Sequence, residues 1–192
     1  MANAREILSR MKSVQDTRKI TNAMYLISSP KLKKSKKLLE ETEPYFYTLQ
    51  DLIRRILRHM PDVEHFYFNP RSEIKGADRT KGLIVITGDK GLAGAYNHNV
   101  LKMAQEWMEQ GDNHRLYVVG ELGRHYFASK HIPVEEQFHY TVQNPTMHRA
   151  RLISSTILED YEEGRLDEVW IIYTQMMNSM QMEAEMTELL PL

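Results

Sequence analysis

Apolar and small residues recur at Ile7, Met11, Val14, Thr17, Ile20, Met24 and Ile27, in steps of four, three, three, three, four and three. That spacing makes a narrow seam close to the heptad pattern of paired helices. It resumes at Leu38, Tyr45, Leu49, Leu52, Ile56 and Met60. Between Ala4 and Arg58 there is no Gly, while Ala, Leu, Met, Glu, Lys and Arg abound, so residues 1–60 are expected to form a coiled-coil type helix. Pro30 and Pro44 complicate the stretch. Each deletes a backbone hydrogen bond and crowds the preceding turn, at a cost of about 3 kcal/mol, which predicts a kink near Ser28–Pro30 and a break near Pro44. The structural rival to one long shaft is two or three helices folded back as a bundle. Lys31-Leu32-Lys33-Lys34-Ser35-Lys36-Lys37 separates the two parts of the seam with charge on nearly all sides, and must face water or carboxylates.

A continuous helix over Ala4–Arg58 would reach about 80 Å at 1.5 Å per residue. A compact globule of this length has a radius of gyration of only about 16 Å, so the shaft is expected to project from the body. Its seam needs a second helix over it to be stable in water. Residues 61–192 supply no obvious candidate, and a partner is expected from elsewhere.

The second part of the chain follows another rhythm. His65–Thr80 mixes Asn69-Pro70, Gly76 and several charges without periodicity, and residues 61–80 read as a linker or mobile loop. Gly82–Thr87, Arg115–Gly120 and Asp167–Tyr173 read as strands. Tyr96–Gln110 reads as a helix with Val100, Met103, Ala104 and Trp107 inward, Glu121–Lys130 as a short helix, and Thr146–Glu163 as a longer one with Ile153, Ile157, Leu158 and Tyr161 inward. The alternation predicts an α/β fold, a Rossmann-like domain over residues 81–175 with a parallel-rich sheet. The Met-rich, acidic tail at 176–192 fits strand and helix equally.

Composition narrows the class. The 192 residues are 42% hydrophobic and 27% charged, which fits neither a disordered chain nor a membrane protein. The longest apolar runs are strand-length, far short of the roughly 20 residues of a bilayer-crossing helix. The lack of Cys excludes disulfides, thiolate nucleophiles and Cys-type metal sites and favours a reducing compartment. No apolar signal region follows Met1, which argues against secretion. Charge is unevenly placed: residues 1–60 hold 13 Lys and Arg against 6 Asp and Glu, whereas residues 61–192 hold 12 against 20. A basic helix suits an acidic partner, be it nucleic acid, anionic lipid or an acidic protein surface.

Candidate chemistry is sparse. The loop from Gly88 to Asn97 follows the first strand and opens a helix, which is where α/β folds bind phosphates. Its glycines at 88, 91 and 94 meet neither the dinucleotide fingerprint nor the P-loop, so Gly88, Asp89, Gly91 and Gly94 are read as a structural turn that lets the helix pack closely on the sheet. The eight His form no paired metal spacing, and Glu40/Glu41, Glu135/Glu136 and Glu162/Glu163 are adjacent residues that point in different directions. No catalytic, cofactor-binding or metal-ligating residue is assigned. A nucleic-acid reading rests on Lys31–Lys37, which no aromatic residue interleaves.

Three stretches are similar to the gamma subunits of F-type ATP synthases, the central rotor shaft of the F1 motor. Ala4-Arg5-Glu6-Ile7, Met11-Lys12-Ser13-Val14 and Thr17-Arg18-Lys19-Ile20-Thr21-Asn22-Ala23-Met24 resemble the family's opening helix. Ile86-Thr87-Gly88-Asp89-Lys90-Gly91-Leu92-Ala93-Gly94-Ala95-Tyr96-Asn97 resembles a glycine-rich stretch of the family, and Leu189-Leu190-Pro191-Leu192 resembles one just after its α/β domain. Order and spacing agree along the whole chain. Asn22 stands where the family usually has a basic residue, Ser28-Ser29-Pro30-Lys31 replaces Ala-Ala-Ser-Lys, and Ala93 and Ala95 replace Cys and Gly. Gamma subunits continue beyond this ending into a long helix antiparallel to the first. The resemblance therefore implies a C-terminally truncated gamma chain and identifies the missing cover of the seam.

The resemblance further implies a non-catalytic axle. ATP is made or hydrolysed by the alpha and beta subunits around it, and the α/β domain is a foot on the epsilon subunit and the membrane c-ring. It implies no cofactor, no nucleic acid, contact with the membrane only through other subunits, and a peripheral place on the cytoplasmic side of the bacterial plasma membrane. Arg10, Lys12, Arg18, Lys19, Met24, Lys31, Lys33 and Lys34 are the partner-contact candidates, the cations sliding past acidic loops of the beta subunits. A seam left open implies self-association. Two alternatives compete with the axle: an α/β protein anchored to nucleic acid or anionic lipid by its basic helix, and a small-molecule enzyme using the Gly88–Gly94 loop.

Overall fold

The computed structural model describes residues 3–60, 64–74, 76–111, 113–178 and 181–192. They divide into two units, Met1–Val63 and Glu64–Leu192. The first is one helix, α1 (Ala4–His59), opened by Asn3, whose side chain accepts from the Arg5 N–H. α1 runs through Pro30 and Pro44 without interruption, so the break expected near Pro44 is absent and the bundle rival is overturned. The physical reason is local. Each Pro removes one donor, and the carbonyls of Leu26 and Glu40 that lose it lie on an exposed helix, where water replaces the bond. Strong helix formers on both sides then carry the helix across.

The second unit is an α/β domain. Its elements in order are β1 (Lys81–Ile86), α2 (Tyr96–Met108), β2 (His114–Val119), α3 (Glu121–Ser129), α4 (Met147–Glu162), β3 (Glu168–Met176) and β4 (Met182–Leu190). The sheet order is β2-β1-β3-β4, with β1 parallel to both neighbours and β4 antiparallel to β3. The parallel-rich Rossmann-like sheet is as the alternation predicts. The tail is a strand, so the domain extends to residue 192 rather than 175. β1 and β2 are buried along most of their length, as their unbroken apolar runs require of strands covered on both faces.

Two cores sandwich the sheet. On one face Leu83, Val85, Leu116, Val118 and Ile172 pack with Val100, Leu101 and Ala104 of α2 and Phe127 of α3. On the other, Ile84, Tyr117, Val119 and Val169 pack with Ile157 and Tyr161 of α4 and with Phe138. Tyr117 donates its hydroxyl to Asp160, whose carboxylate also takes the Arg165 guanidinium. Burial holds the Tyr117 phenol above its ordinary pKa, and the Asp160 charge reinforces it.

Residues 64–80 are the main correction to the expected organisation. The stretch read as a mobile linker is a strap fastened to the domain, although 61–63 and 75 lie outside the described residues. The Arg71 guanidinium donates to the carbonyls of Tyr161 (2.7 Å) and Leu166 (2.7 Å) and to Asp167 (2.9 Å), and lies over the Tyr161 ring at 4.5 Å. Arg79 donates to Glu168 at 2.7 Å and to the carbonyls of Pro70, Arg71 and Ile74. Two planar guanidiniums thus tie the strap, whose only regular turn among the described residues is a 3-10 helix at Gly76–Asp78, to three of its own carbonyls, to the carbonyls of Tyr161 and Leu166 and to two carboxylates. Tyr67 adds a hydroxyl bond to Glu162, which raises its phenol to about 12, and its carbonyl takes the Leu192 N–H.

Gly120, with φ of 101°, joins β2 to α3 so close to Thr87 that a Cβ would collide with the Thr87 carbonyl. Gly120→Ala is expected to cost about 3 kcal/mol, whereas Gly91→Ala, with open space around it, should change stability by under about 0.5 kcal/mol; equilibrium urea unfolding of both variants checks this. The strap generates a pH prediction. Burial raises the Glu168 carboxyl, but the bonds from Arg79 and Trp170 and the nearby Lys81 charge outweigh it and hold its pKa below the ordinary value. The pair therefore stabilises the fold fully above about pH 4.5 and ceases to do so as pH falls through the lower folded value. Glu168→Gln should cost about 2 kcal/mol at pH 7, and the gap to the parent in thermal unfolding should narrow progressively as pH falls below about 4.5.

Candidate functional site

Helix α1 buries none of its side chains, and its seam residues Ile20, Met24, Ile27, Leu38, Tyr45, Leu49, Leu52 and Ile56 are all exposed. At about 100° per residue these eight fall within about 40° of the direction of Ile20, a stripe along about two-thirds of the helix, whereas Thr17, Val14, Ile7 and Met11 lie about 60° to 180° from it, so the seam read from the sequence is one stripe only from Ile20 onward. The partner-contact candidates do not share that direction. Arg10, Lys12 and Lys19 lie about 80° to 100° from the stripe, and Arg18 and Lys33 lie about 140° to 160° away, on the far side. Met24 is in the stripe, and so are Lys31 and Lys34, at about 20° and 40° from Ile20. The structure therefore divides the lysine cluster that the sequence treats as one patch.

Some of the cations on α1 are already engaged. Arg10 pairs with Glu6 at 2.7 Å, Lys19 with Asp16 at 3.4 Å, Lys37 with Glu41 at 3.7 Å and Arg54 with Asp51 at 3.5 Å, all between exposed groups on adjacent turns. Such pairs support the helix by a few tenths of a kcal/mol each. Among the described residues Lys31, Lys33 and Lys34 have no carboxylate within 4.0 Å. Because the cations surround the helix, they do not form the single basic face that membrane-surface helices present.

The turn after β1 is built to hold itself together. The Gly88 N–H donates to the Asn97 side chain at 2.7 Å, the Leu122 N–H donates to the Gly88 carbonyl, and Gly94 turns with φ of 58°. Asp89 accepts from the Glu121 N–H at 3.2 Å and the Val142 N–H at 3.3 Å. Its carboxylate thus sits at the N-terminus of α3, the position a phosphate would take, and it supplies the negative charge that helix end attracts. This arrangement does not suit a nucleotide; Gly88, Asp89 and Gly94 serve the turn, and Gly91 lies in open space. Among the described residues no group of three or more His, Asp or Glu is placed to hold a metal ion. No helix among them is long and apolar enough to cross a membrane.

Sequence reasoning missed Arg71, Arg79 and the Tyr117–Asp160–Arg165 network. Their partners are about 90 residues or 43 residues away along the chain, and no local pattern announces such pairs. The division of the lysine cluster was available in the sequence through helical spacing alone.

A long helix with an uncovered heptad stripe and a separate Rossmann-like α/β unit define the class: an α/β protein with a long, exposed, coiled-coil type N-terminal helix. The sequence model described as ATP synthase matches residues 3–192, and the chain belongs to the ATP synthase gamma-chain family. It is 44% identical over all its 192 residues to the ATP synthase gamma chain of Acetivibrio thermocellus. Identity to that of Ruminiclostridium cellulolyticum is 46%, over 99% of the chain. The chain spans 64% of the length of both relatives. In fold it is similar to a chain in the central stalk and c-ring structure of Tetrahymena thermophila mitochondrial ATP synthase, with a TM-score of 0.66 at 22% identity, covering 90% of this chain and 72% of that one. The family displaces the reading of a basic helix anchored to nucleic acid or lipid.

Asp89→Ala removes the acceptor of two backbone N–H groups and should cost about 1–2 kcal/mol, with Asp89→Asn costing less because its amide oxygen still accepts; thermal unfolding of the two variants measures the difference.

Proposed function

We propose that this chain is the central-stalk subunit of a rotary ATP synthase, an axle that couples ion-driven rotation to ATP synthesis and performs no chemistry itself. The alpha and beta subunits surround α1 and carry the nucleotide sites, and the α/β domain is the foot that meets the epsilon subunit and the c-ring. The protein sits peripherally at the cytoplasmic side of the bacterial plasma membrane. The observation that carries this reading is α1 itself, 56 residues of helix with no buried side chain and an apolar stripe interrupted at Lys31 and Lys34. A helix of that kind gains most of its stability from an assembly that covers the stripe.

The charges fit the role. Arg10, Lys12, Arg18, Lys19 and Lys33 lie off the stripe and stay outward when a second helix covers it. Charges facing acidic loops across a moving contact give an energy that changes gradually with distance, whereas interlocked apolar groups would resist sliding. Lys12→Glu/Lys19→Glu/Lys33→Glu in the full-length chain, assembled with the alpha and beta subunits, should leave assembly intact and lower the torque of ATP-driven rotation several-fold at low salt. Unchanged torque in single-molecule rotation, with assembly intact, would contradict the electrostatic contact.

A further inference from the structure

The seam does not stop at the basic patch. From Ile20 the stripe runs through Met24, Ile27, Lys31, Lys34 and Leu38 in steps of four, three, four, three and four, an unbroken heptad register with two lysines at its centre. Lys33 lies on the far side, about 140° from Ile20. Of the carboxylates nearby on α1, Glu41 is held by Lys37, and Glu40 lies about 160° from Ile20. Nothing on the helix itself neutralises the two ammonium groups that point into the stripe.

We propose that Lys31 and Lys34 set the register of a coiled coil, and that the helix covering α1 carries carboxylates at the two seam positions facing them. Apolar seam residues on that helix face Ile20–Ile27 and Leu38–Ile56. The proposal rests on the reading that a helix covers the stripe, and it adds the chemistry of that helix. A lysine in an apolar seam is costly unless its ammonium is paired or reaches water, and single lysines at such positions are known devices for fixing register at some loss of stability. A covering helix slipped by one heptad would set its carboxylates against apolar residues of α1 and its own apolar residues against Lys31 and Lys34. Both errors disfavour the slip, where a wholly apolar stripe would tolerate it.

The test uses the 192-residue protein and two synthetic four-heptad helices, identical except for Glu or Lys at the two central seam positions. Because the steps read the same in both directions, one design serves either orientation. Titration at low salt should show the Glu probe binding about tenfold or more tighter than the Lys probe, with the preference shrinking as salt rises. Lys31→Glu/Lys34→Glu should invert the preference, and Lys33→Glu/Lys36→Glu should retain it. Equal affinity for both probes, or inversion by the second pair of substitutions instead of the first, overturns the proposal while leaving the covering helix in place. Failure of both probes to bind overturns the covering helix as well. A dimer in sedimentation that neither probe disperses assigns the stripe to a second copy of the chain, which also overturns the proposal.

Discussion

Water on the stripe of α1 is the constraint on which the rest of the structure turns. Eight apolar side chains from Ile20 to Ile56 are exposed, and moving each from part-exposure to burial is worth about 1 kcal/mol. On the order of 8 kcal/mol is therefore available to whatever covers them, comparable with the whole stability of a small domain. The ion pairs along α1 support the helix by far less. The intrinsic propensity of its residues lets the helix exist, and the apolar stripe is the surface that the proposed assembly would cover.

The α/β unit is organised on the opposite principle. Both faces of β1 and β2 are covered by its own helices, its strap is sewn down by Arg71 and Arg79, and its first turn is closed by Asp89 and Asn97. At the carboxyl end of β1, the usual ligand crevice of such folds, one oxygen of Asp89 and the side-chain oxygen of Asn97 are taken by the fold's own backbone N–H groups.

Much of this was legible in the sequence, and the exceptions have physical reasons. Each parallel strand and helix of the α/β unit lies close to where periodicity places it, because buried runs such as Leu83–Val85 and inward steps such as Ile157 and Tyr161 are local patterns. β4 was ambiguous because it is an edge strand, exposed over most of its length, with no alternation sharp enough to distinguish it from a helix. The strap was misread because its order comes from guanidinium contacts with residues about 90 positions away. The break expected at Pro44 does not occur because strong helix formers flank it on both sides and the Glu40 carbonyl it leaves open is exposed to water. Within the candidate contact face the residues were recognised but their directions were not; only helical geometry separates Lys31 and Lys34 from Lys33.

The most direct measurement is hydrogen exchange along α1, in the free monomeric chain and in the assembly with alpha and beta subunits and a covering helix. An uncovered stripe predicts protection factors below about 100 for amides from Ile20 to Ile56 in the free monomer, a large rise in the assembly, and strong protection of β1 and β2 in both. Protection of α1 in the free monomer equal to that of β1 would contradict it, because the stripe would then already be covered.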